Sequence, residues 1–361
     1  MENLSLNIVR LFERYPLRTL FKNVFASYET YEFQQHKIPL TIVDEIHQTN
    51  CWTVSPYSNI VQYSKEEINK LPWLLKYVFF PVITLLGVYL RLFRIEKNVA
   101  VHNFCFSTNL IGNHFKNINV GDLAERLTQR FPDYALQIRS LNSLLHHALI
   151  EKLRQNGYQF MVSRQVYISD DMACVVRKKD MKNDFRLLRD GNYSFRQLLP
   201  DSPHRDFQES CRLYNQLYLE KYSQNNVQFS AAFMRYAVVE NVMKLWLLEN
   251  QDHEAVGVAG WIENGEVMTM PVLGYDTRRH QDEALYRRLT AFATQYAVKQ
   301  GKIFHQSAGV PQFKKTRGAK ACIEYSAIYT KHLPLYRRLA WQGIVFVSQK
   351  IYAPVLRKWQ L

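Results

Sequence analysis

The order of strand and helix signals in residues 184–332 constrains the fold of this 361-residue chain more than any other feature. The signals, in order, are a strand (Asp184–Tyr193), helices (Asp206–Tyr222, Ala231–Glu240), strands (Val242–Glu249, Ala255–Ile262, Glu266–Leu273), a helix (Asp282–Gln300), a strand (Lys302–Ser307), a brief basic helix and a strand (Cys322–Tyr329). Asn264-Gly265 is a strong hairpin signal. This order predicts a mixed, mostly antiparallel sheet flanked by helices, which is an α+β fold.

The first half repeats the last part of this order. Strands are predicted at Val99–Phe106, Tyr134–Arg139 and Tyr158–Ser169, and helices at Val120–Phe131 and Ser143–Asn156. No sequence repeat is visible, so the duplication rests on element order. We predict two similar domains, residues 1–183 and 184–332, followed by an amphipathic helical tail over residues 333–361.

Composition indicates a folded chain with anionic partners. Hydrophobic residues make up 47% and charged residues 22%, which is typical of globular proteins. The net charge of +14 favours nucleic acid, an anionic membrane or phosphorylated ligands such as CoA or an acidic carrier protein. No recognition-helix or zinc-finger pattern is present, so we expect no sequence-specific nucleic-acid binding. The five cysteines lack metal-ligand spacing, which indicates a reduced, cytoplasmic setting without a metal site.

Two segments could contact a membrane surface. In residues 71–93 the uncharged part, Tyr77–Leu90, would be about 21 Å long as a helix, short of the roughly 30 Å hydrocarbon core. We therefore predict a buried or bilayer-surface helix rather than a span. The basic tail over residues 333–361 fits either an interfacial helix or helices that close over a domain. Residues 1–25 lack an uninterrupted apolar core, so we predict no signal peptide.

A polar loop near residue 305 carries the strongest candidates for chemistry. His305 and Ser307 would share one face of a strand, and a histidine has the right pKa class for a general base. Glu324 on the next strand could orient His305 or simply pair with Lys320. A hydrogen-bonded structural histidine is the open alternative.

Several short motifs resemble those of the FemAB-like and GNAT acyltransferases. In the second half they are Gly260-Trp261, Pro271…Gly274-Tyr275-Asp276 and Phe313-Lys314…Arg317-Gly318; in the first half they are Asn103…Ser107-Thr108-Asn109-Leu110, Arg139-Ser140-Leu141-Asn142 and Ser163-Arg164-Gln165. The resemblance covers about two thirds of the chain and rests more on element order than on motifs in the first half. It implies two GNAT-like domains in tandem.

The resemblance implies acyl transfer. A thioester or aminoacyl ester would lie in a V-shaped gap between two splayed strands, where an amine or hydroxyl attacks its carbonyl. For this reaction the candidate catalytic residues are His305, Glu324 and Ser307. The candidate donor-binding residues are Arg278, Arg279, Gln312, Lys314, Lys315 and Arg317. The candidate substrate-binding residues are Asn103, Ser107, Asn109, Arg139, Asn142 and Tyr275. No permanently bound cofactor is implied, and the co-substrate would be an acyl thioester of CoA or phosphopantetheine. A solvated helix face is the alternative for the lysines and Arg317, and a capped helix start explains part of the 139–142 segment.

One position departs from the family pattern. Acetyl-CoA-binding GNATs carry glycines before the central helix, whereas residues 277–284 contain none and place Asp282 and Glu283 at the expected helix start. The donor could then be held by an acyl-carrier protein or a charged tRNA, or catalysis could be lost.

Together these observations predict an acyltransferase that moves an acyl group, fatty acyl by preference, from CoA or an acyl-carrier protein to an amine or hydroxyl. One alternative is tRNA-dependent aminoacyl transfer to a peptidoglycan precursor. Another is a non-catalytic membrane-surface binding protein. We expect a cytoplasmic protein, peripheral on the inner membrane face where it contacts an anionic surface.

Overall fold

The computed structural model describes residues 4–69 and 73–359. The strands are β1 (Ser27–Phe33), β2 (His36–Val43), β3 (Asn98–Val101), β4 (Ala135–Asn142), β5 (Gln159–Ser169), β6 (Ser194–Leu198), β7 (Lys244–Glu249), β8 (Ala255–Asn264), β9 (Val267–Tyr275), β10 (Ile303–His305) and β11 (Lys320–Tyr329). The α-helices are α1 (Leu4–Arg14), α2 (Leu17–Leu20), α3 (Tyr63–Asn69), α4 (Trp73–Leu92), α5 (Asn113–Asn117), α6 (Val120–Arg130), α7 (Ser143–Gln155), α8 (Met172–Arg177), α9 (Lys179–Leu187), α10 (His204–Asn215), α11 (Ala231–Val239), α12 (Leu285–Lys299), α13 (Pro311–Thr316), α14 (Leu335–Val347) and α15 (Ala353–Trp359). π-helical turns cover Ser58–Gln62, Gln216–Tyr222 and Ser348–Tyr352, and a 3₁₀ turn covers Gln281–Glu283.

All of these strands belong to one mixed sheet. Its order is β1-β2-β3-β4-β11-β5-β10-β9-β8-β7-β6. The neighbours β3 and β4 are parallel, as are β9 and β10, and the other pairs are antiparallel. The two parallel pairs lie on either side of the central strands β11 and β5. The sheet thus has an approximate two-fold arrangement, because a parallel pair followed by antiparallel pairs extends outward from the central strands on each side.

The two halves exchange strands at the centre of this sheet. Strand β11 comes from the end of the chain but pairs with both β4 and β5 of the first half. Strand β5 in turn pairs with β10 of the second half. The domain limits at residues 183 and 184 stay a prediction, and the sheet itself runs continuously across them.

Buried central strands explain why helices cover the sheet. Every residue of β4 is buried, including the polar Gln137, Arg139 and Asn142. A strand buried on both faces needs cover on both, and an apolar core packs against each half of the sheet. Polar side chains in such a strand must find partners inside the protein, so β4 carries polar groups into the molecule's centre.

The structure corrects three predicted elements. The segment predicted as strand Asp184–Tyr193 contains the end of helix α9 instead, because Met181, Phe185 and Leu188 pack at helical spacing beside α12. Helix α12 begins at Leu285 rather than Asp282, after Ala284 adopts a left-handed conformation (φ 54°). The hairpin β1–β2 lies in a region for which no strand was predicted.

The apolar segment predicted over residues 71–93 is a helix on the protein surface. Residues 71 and 72 lie outside the described part, and α4 begins at Trp73. Ile83, Leu86 and Leu90 pack into a core that also contains residues of α14. Within residues 4–69 and 73–359, no helix is long and apolar enough to cross a membrane.

Candidate active site

An ion pair joins the two middle strands of the sheet. Arg164 of β5 lies opposite Glu324 of β11, and its Nε donates to Glu324 Oε1 over 2.8 Å. The Glu324 side chain is 1% exposed and that of Arg164 is 15% exposed. Burying a carboxylate is costly unless it is paired, and pairs of this kind are concentrated at functional sites. This pair is the centre of the candidate site.

His305 extends the ion pair toward the second half of the sheet. Its Nε2 lies 3.9 Å from Glu324 Oε2, and its Nδ1 accepts a hydrogen bond from the Ser307 amide over 3.1 Å. The acceptor role of Nδ1 places the proton of the neutral ring on Nε2, which faces the carboxylate. Burial, with the charges of Arg164 and Lys314 nearby, lowers the pKa of His305 to about 3. The imidazole is therefore a neutral donor at physiological pH.

Arg164 also forms hydrogen bonds to a loop of the first half. Its Nη2 donates to the Ser107 carbonyl over 2.6 Å and to Thr108 Oγ1 over 3.0 Å. Thr108 Oγ1 in turn donates to Ser307 Oγ over 3.4 Å. One guanidinium thus connects loops that follow β3 and β10. The strands β4 and β10 run in opposite directions, and their carboxyl ends approach this same region.

A second buried guanidinium lies beside the first. Arg139 Nη1 donates to Asn103 Oδ1 over 3.1 Å, and Asn109 donates to the same oxygen over 3.2 Å. Burial lowers the pKa of Arg139 to about 10, which leaves it charged at neutral pH. The ring of Trp52 has the guanidinium carbons of Arg139 and Arg164 each 5.2 Å from its centroid. Cation–π contact with one indole holds the two cations near each other.

The backbone around this cluster is strained. His102, Cys105, Ser140 and Ser307 all have positive φ values, between 57° and 63°. Each such conformation in a residue other than glycine costs of order 1–3 kcal/mol, and the cost is concentrated at functional sites. The strain lies where the candidate side chains converge, which supports placing the site there.

Lys314 was predicted to contact a donor phosphate, and the structure buries it. Its ammonium donates to the carbonyls of Gln306 and Ala308 over 2.7 Å each and to that of Ser307 over 3.3 Å. Burial, with the Arg164 charge, lowers the pKa of Lys314 to about 7. In this arrangement Lys314 fixes the loop that carries Ser307.

Acidic side chains hold the predicted donor-binding arginines. Arg278 forms a two-pronged pair with Asp276, with Nη2 and Nε at 2.7 and 2.9 Å. Arg279 Nε donates to Glu283 over 2.7 Å, and Arg317 Nε donates to Asp184 over 2.5 Å. Gln312 is exposed and Lys315 is half-buried on α13. Donor binding by these residues stays a prediction.

Two other predicted substrate-binding residues lie at strand ends. Asn142 is paired with Glu324 across β4 and β11, and its side chain caps α7 by accepting from the Leu145 amide over 3.0 Å. Its amide nitrogen is buried without a hydrogen-bond partner among the described residues. Tyr275 ends β9 and contacts the ring of Tyr286. Asn142 belongs to the central cluster, whereas Tyr275 packs in an aromatic row beside α13.

Two surface cavities are lined mostly by residues outside the cluster. One, of about 550 Å³, is lined by Asp44, Glu45, Ile46, Gln48, Arg91, Arg94, Glu96 and Lys97. The other, of about 250 Å³, is lined by Ser5, Leu6, Gln35, His36, Lys37, Ile38, His102, Gly112, His114, Phe115, Ile118 and Asn264. Cavities are the usual place to look for a ligand. We nevertheless assign the candidate site to the cluster, because a buried carboxylate, two cations, a neutral imidazole and strained backbone converge there.

Comparison with known proteins supports the fold and leaves the activity open. No protein-family model matches the sequence, and no curated protein matches it significantly. Among solved structures, L-PGS from Bacillus licheniformis is similar at a TM-score of 0.54 and 10% identity, covering 94% of this chain and 96% of that one. FemX is similar at a TM-score of 0.53 and 9% identity, covering 94% and 99%. The C-terminal domain of a protein assigned as a lysylphosphatidylglycerol synthetase, from Agrobacterium fabrum, is similar at a TM-score of 0.52 and 10% identity, covering 96% and 93%.

These similarities confirm the fold predicted from element order. The chain shares the mixed α+β fold of L-PGS and FemX over almost its whole length, and those proteins are of similar length. At about one identical residue in ten, the similarity extends to the fold alone.

Sequence reasoning did not identify two members of the site. Arg164 was noted only as part of a motif, and Trp52 lies in a region for which nothing was predicted. A signal for Arg164 was present: it is the one charged residue in the predicted strand segment Phe160-Met-Val-Ser-Arg-Gln-Val-Tyr-Ile168. A charge inside a buried strand needs a partner, so its position indicates a built site.

Proposed function

We propose that this protein is an acyltransferase in which an amine or hydroxyl acceptor attacks an activated acyl group at the Arg164–Glu324–His305 cluster. The observation that carries this proposal is the buried Glu324 carboxylate, placed between a guanidinium at 2.8 Å and an imidazole Nε2 at 3.9 Å. The carboxyl ends of β4 and β10 approach it from opposite sides. Strand ends of this kind commonly carry ligand-binding groups.

The geometry suggests how the residues divide the reaction. His305 Nδ1 is engaged by the Ser307 amide, so the proton acceptor of the cluster is Glu324 rather than the imidazole. Glu324 would take the proton from the acceptor nitrogen or oxygen as that atom bonds to the acyl carbon. Arg164 and the His305 Nε2 proton would stabilise negative charge that develops on the carbonyl oxygen. The bond from the acyl carbon to sulfur or oxygen then breaks, and the proton passes to the leaving group.

A carrier-bound donor suits this chain better than free CoA. Asp276 and Glu283 already neutralise Arg278 and Arg279, and α12 begins beyond Glu283 without a glycine-rich turn. Phosphate binding at a helix start relies on bare backbone amides and local positive charge. We therefore propose an acyl thioester on an acidic carrier protein, which the net charge of +14 would attract.

Aminoacyl transfer from tRNA is the second candidate. The name of one similar structure refers to a lysylphosphatidylglycerol synthetase, and L-PGS and FemX are similar over the same length. The basic surface is equally compatible with RNA, whose binding falls steeply with salt. This candidate shares the same site and differs in the donor and in its acceptor, a peptidoglycan precursor.

The test begins with native mass spectrometry of the freshly purified protein, followed by denaturing extraction of what co-purifies. Transfer is then measured with acyl-CoA, acyl-carrier protein and aminoacyl-tRNA as donors. Transfer from the carrier protein that survives ribonuclease supports the first candidate, and ribonuclease-sensitive transfer supports the second. Absence of transfer from every donor would contradict the proposal.

Glu324→Gln tests the role assigned to the carboxylate. Glutamine keeps hydrogen-bonding capacity toward Arg164 but cannot take a proton, so we expect kcat to fall by about 10²–10³-fold. The matched control is Glu209→Gln, which alters a carboxylate paired with Arg212 on the surface. Equal activity of the two variants would remove Glu324 from the chemistry.

A further inference from the structure

Helix α4 exposes a continuous apolar stripe. Seven of its large apolar side chains are between 45% and 74% exposed, and all but Val82 belong to this stripe: Trp73, Tyr77, Phe80, Leu85, Val88 and Leu92. They recur every three to five residues, so they lie on one side of the helix. Ile83, Leu86 and Leu90 pack the opposite side onto the protein. The helix therefore lies along the surface with one apolar side uncovered.

Helix α14 and the turns after it continue this surface. Their exposed apolar side chains are Leu335, Tyr336, Leu339, Phe346, Val347, Ile351, Tyr352 and Val355. Tyr89 of α4 donates to the Ala340 carbonyl of α14 over 3.0 Å, and the rings of Phe93 and Tyr336 are 6.4 Å apart. The two helices are thus in contact, and we call their uncovered sides together the apolar face. Exposed apolar surface shared by adjacent helices marks an interaction site.

The two sequence segments that form the apolar face carry positive charges only. Residues 68–95 contain four Lys or Arg and no Asp or Glu, and residues 325–361 contain six and none. Exposed members include Arg91, Lys350, Arg357 and Lys358. Apolar side chains between basic ones match a bilayer that contains anionic lipids, because acyl chains accept the former and headgroup phosphates the latter.

We propose that the apolar face docks this protein onto an anionic lipid bilayer, with α4 and α14 lying in the plane of the interface. Two other occupants fit less well. A second copy of the chain would place two basic surfaces against each other. A spanning arrangement would require α4 to leave the core that Ile83, Leu86 and Leu90 form.

The location of the apolar face also indicates the class of substrate. Ile328 of β11 lies in the core beneath α14, four residues from Glu324, which is about 13 Å along the strand. Docking would leave only helix α14 and this length of strand between the central cluster and the headgroup region. The acceptor or product is therefore a membrane-resident amphiphile; this second statement rests on the proposed acyl transfer, whereas the docking does not.

The docking is tested by flotation of the full-length protein with vesicles of phosphatidylcholine, with and without phosphatidylglycerol. We expect binding to the mixed vesicles that weakens with salt. Leu85→Glu and Phe346→Glu should each lower the partition coefficient about tenfold or more, because an apolar side chain no longer enters the bilayer. The matched control is Leu199→Glu, since Leu199 is 50% exposed elsewhere.

A second pair of variants tests the charge. Arg357→Gln and Lys358→Gln should each weaken binding about fivefold. Arg205→Gln is the control, because the Arg205 side chain is 87% exposed on another surface. Vesicle binding unchanged by the face variants would overturn the proposal. The proposal would also be overturned if the protein did not bind vesicles and instead formed dimers in analytical ultracentrifugation that Leu85→Glu dissociates.

Docking and chemistry can fail separately. Leu85→Glu should keep transfer to a short, water-soluble acceptor while losing vesicle binding. Glu324→Gln should keep vesicle binding while losing transfer. Vesicle binding without any transfer would support the docking and contradict the proposed enzyme. Transfer without vesicle binding would support the proposed enzyme and contradict the docking.

Discussion

At the residue scale, the candidate site consists of charged side chains whose burial requires a partner of opposite charge or a hydrogen-bond acceptor. Glu324 is 1% exposed, and its burial is possible because Arg164 donates to it from the neighbouring strand. Removing either partner would leave an uncompensated buried charge, which typically costs 3–5 kcal/mol. Arg139 relies on the Asn103 oxygen and the Phe106 carbonyl in the same way. Stability and the proposed chemistry would therefore depend on the same side chains.

Lys314 should make stability depend on alkaline pH. Its pKa is lowered to about 7 by burial and by Arg164, while the unfolded lysine keeps its ordinary value near 10.5. Below pH 7 both states are charged. Between pH 7 and 10.5 only the unfolded state binds the proton, so the free energy of unfolding rises with pH by up to about 1.4 kcal/mol per unit.

The measurement is urea denaturation of the wild type and Lys314→Met at pH 7, 8 and 9. We expect the difference in free energy of unfolding to shift in favour of the wild type by about 2–3 kcal/mol over this range. Lys315→Met on the same helix α13 is the control. Parallel pH profiles for the wild type and Lys314→Met would show that Lys314 titrates normally.

At the element scale, Gly274 sets how closely β9 can approach helix α10. An added Cβ at this position would lie 2.4 Å from the Leu213 carbonyl oxygen and 2.5 Å from the Tyr214 nitrogen. Both are backbone atoms, so relief requires moving the helix. We expect Gly274→Ala to lower the free energy of unfolding by about 2–4 kcal/mol.

Chemical denaturation checks this expectation against Gly87→Ala. The added methyl at Gly87 meets only side-chain atoms at 3.4 Å or more, inside helix α4. Alanine is there the better helix former, so this control should be neutral or slightly stabilising. A Gly274→Ala variant as stable as the control would mean that β9 and α10 are not in close backbone contact.

The elements that sequence reasoning predicted are those with strong local signals. Asn264-Gly265 gave the β8–β9 hairpin, and helices α6 and α7 end within two residues of their predicted limits. The predicted strand Asp184–Tyr193 overlaps the end of helix α9, whose apolar pattern begins at Met181, before the predicted segment. The β1–β2 hairpin has Gln34 and Gln35 in left-handed conformations instead of glycine or asparagine. A hairpin is therefore predictable from sequence only where its turn contains residues, such as asparagine and glycine, that favour the turn conformation.

The candidate site was predictable in some of its members but not in its contacts. His305, Glu324, Arg139 and Asn103 were all identified, and the structure brings them to one cluster. Glu324 was expected to pair with His305 or Lys320; the partner at hydrogen-bond distance is Arg164. That contact depends on β11 inserting beside β5 from more than 150 residues away. Strand order at such separation is a tertiary property that no local pattern carries.

At the scale of the whole molecule, exchanged strands should make the two halves unfold together. Strand β11 belongs to the second half in sequence, yet Ile328 packs with Ala135 and Met161 of first-half strands. Losing β11 would therefore open the first half as well as the second. Chains of this size often unfold domain by domain, and this sheet order argues against it.

Ile328→Ala tests this coupling. Ile328 is 1% exposed, so truncation should cost about 2–4 kcal/mol. Native-state hydrogen exchange should then show equal loss of protection for the slowest amides of β4, in the first half, and of β8, in the second. Leu199→Ala, at a 50% exposed apolar position, should leave both unchanged. Loss confined to β4 would mean that the halves are separate cooperative units joined only at their edges. Equal loss would mean that the Arg164–Glu324 pair holds its geometry only when the whole sheet is intact, because each partner comes from a different half.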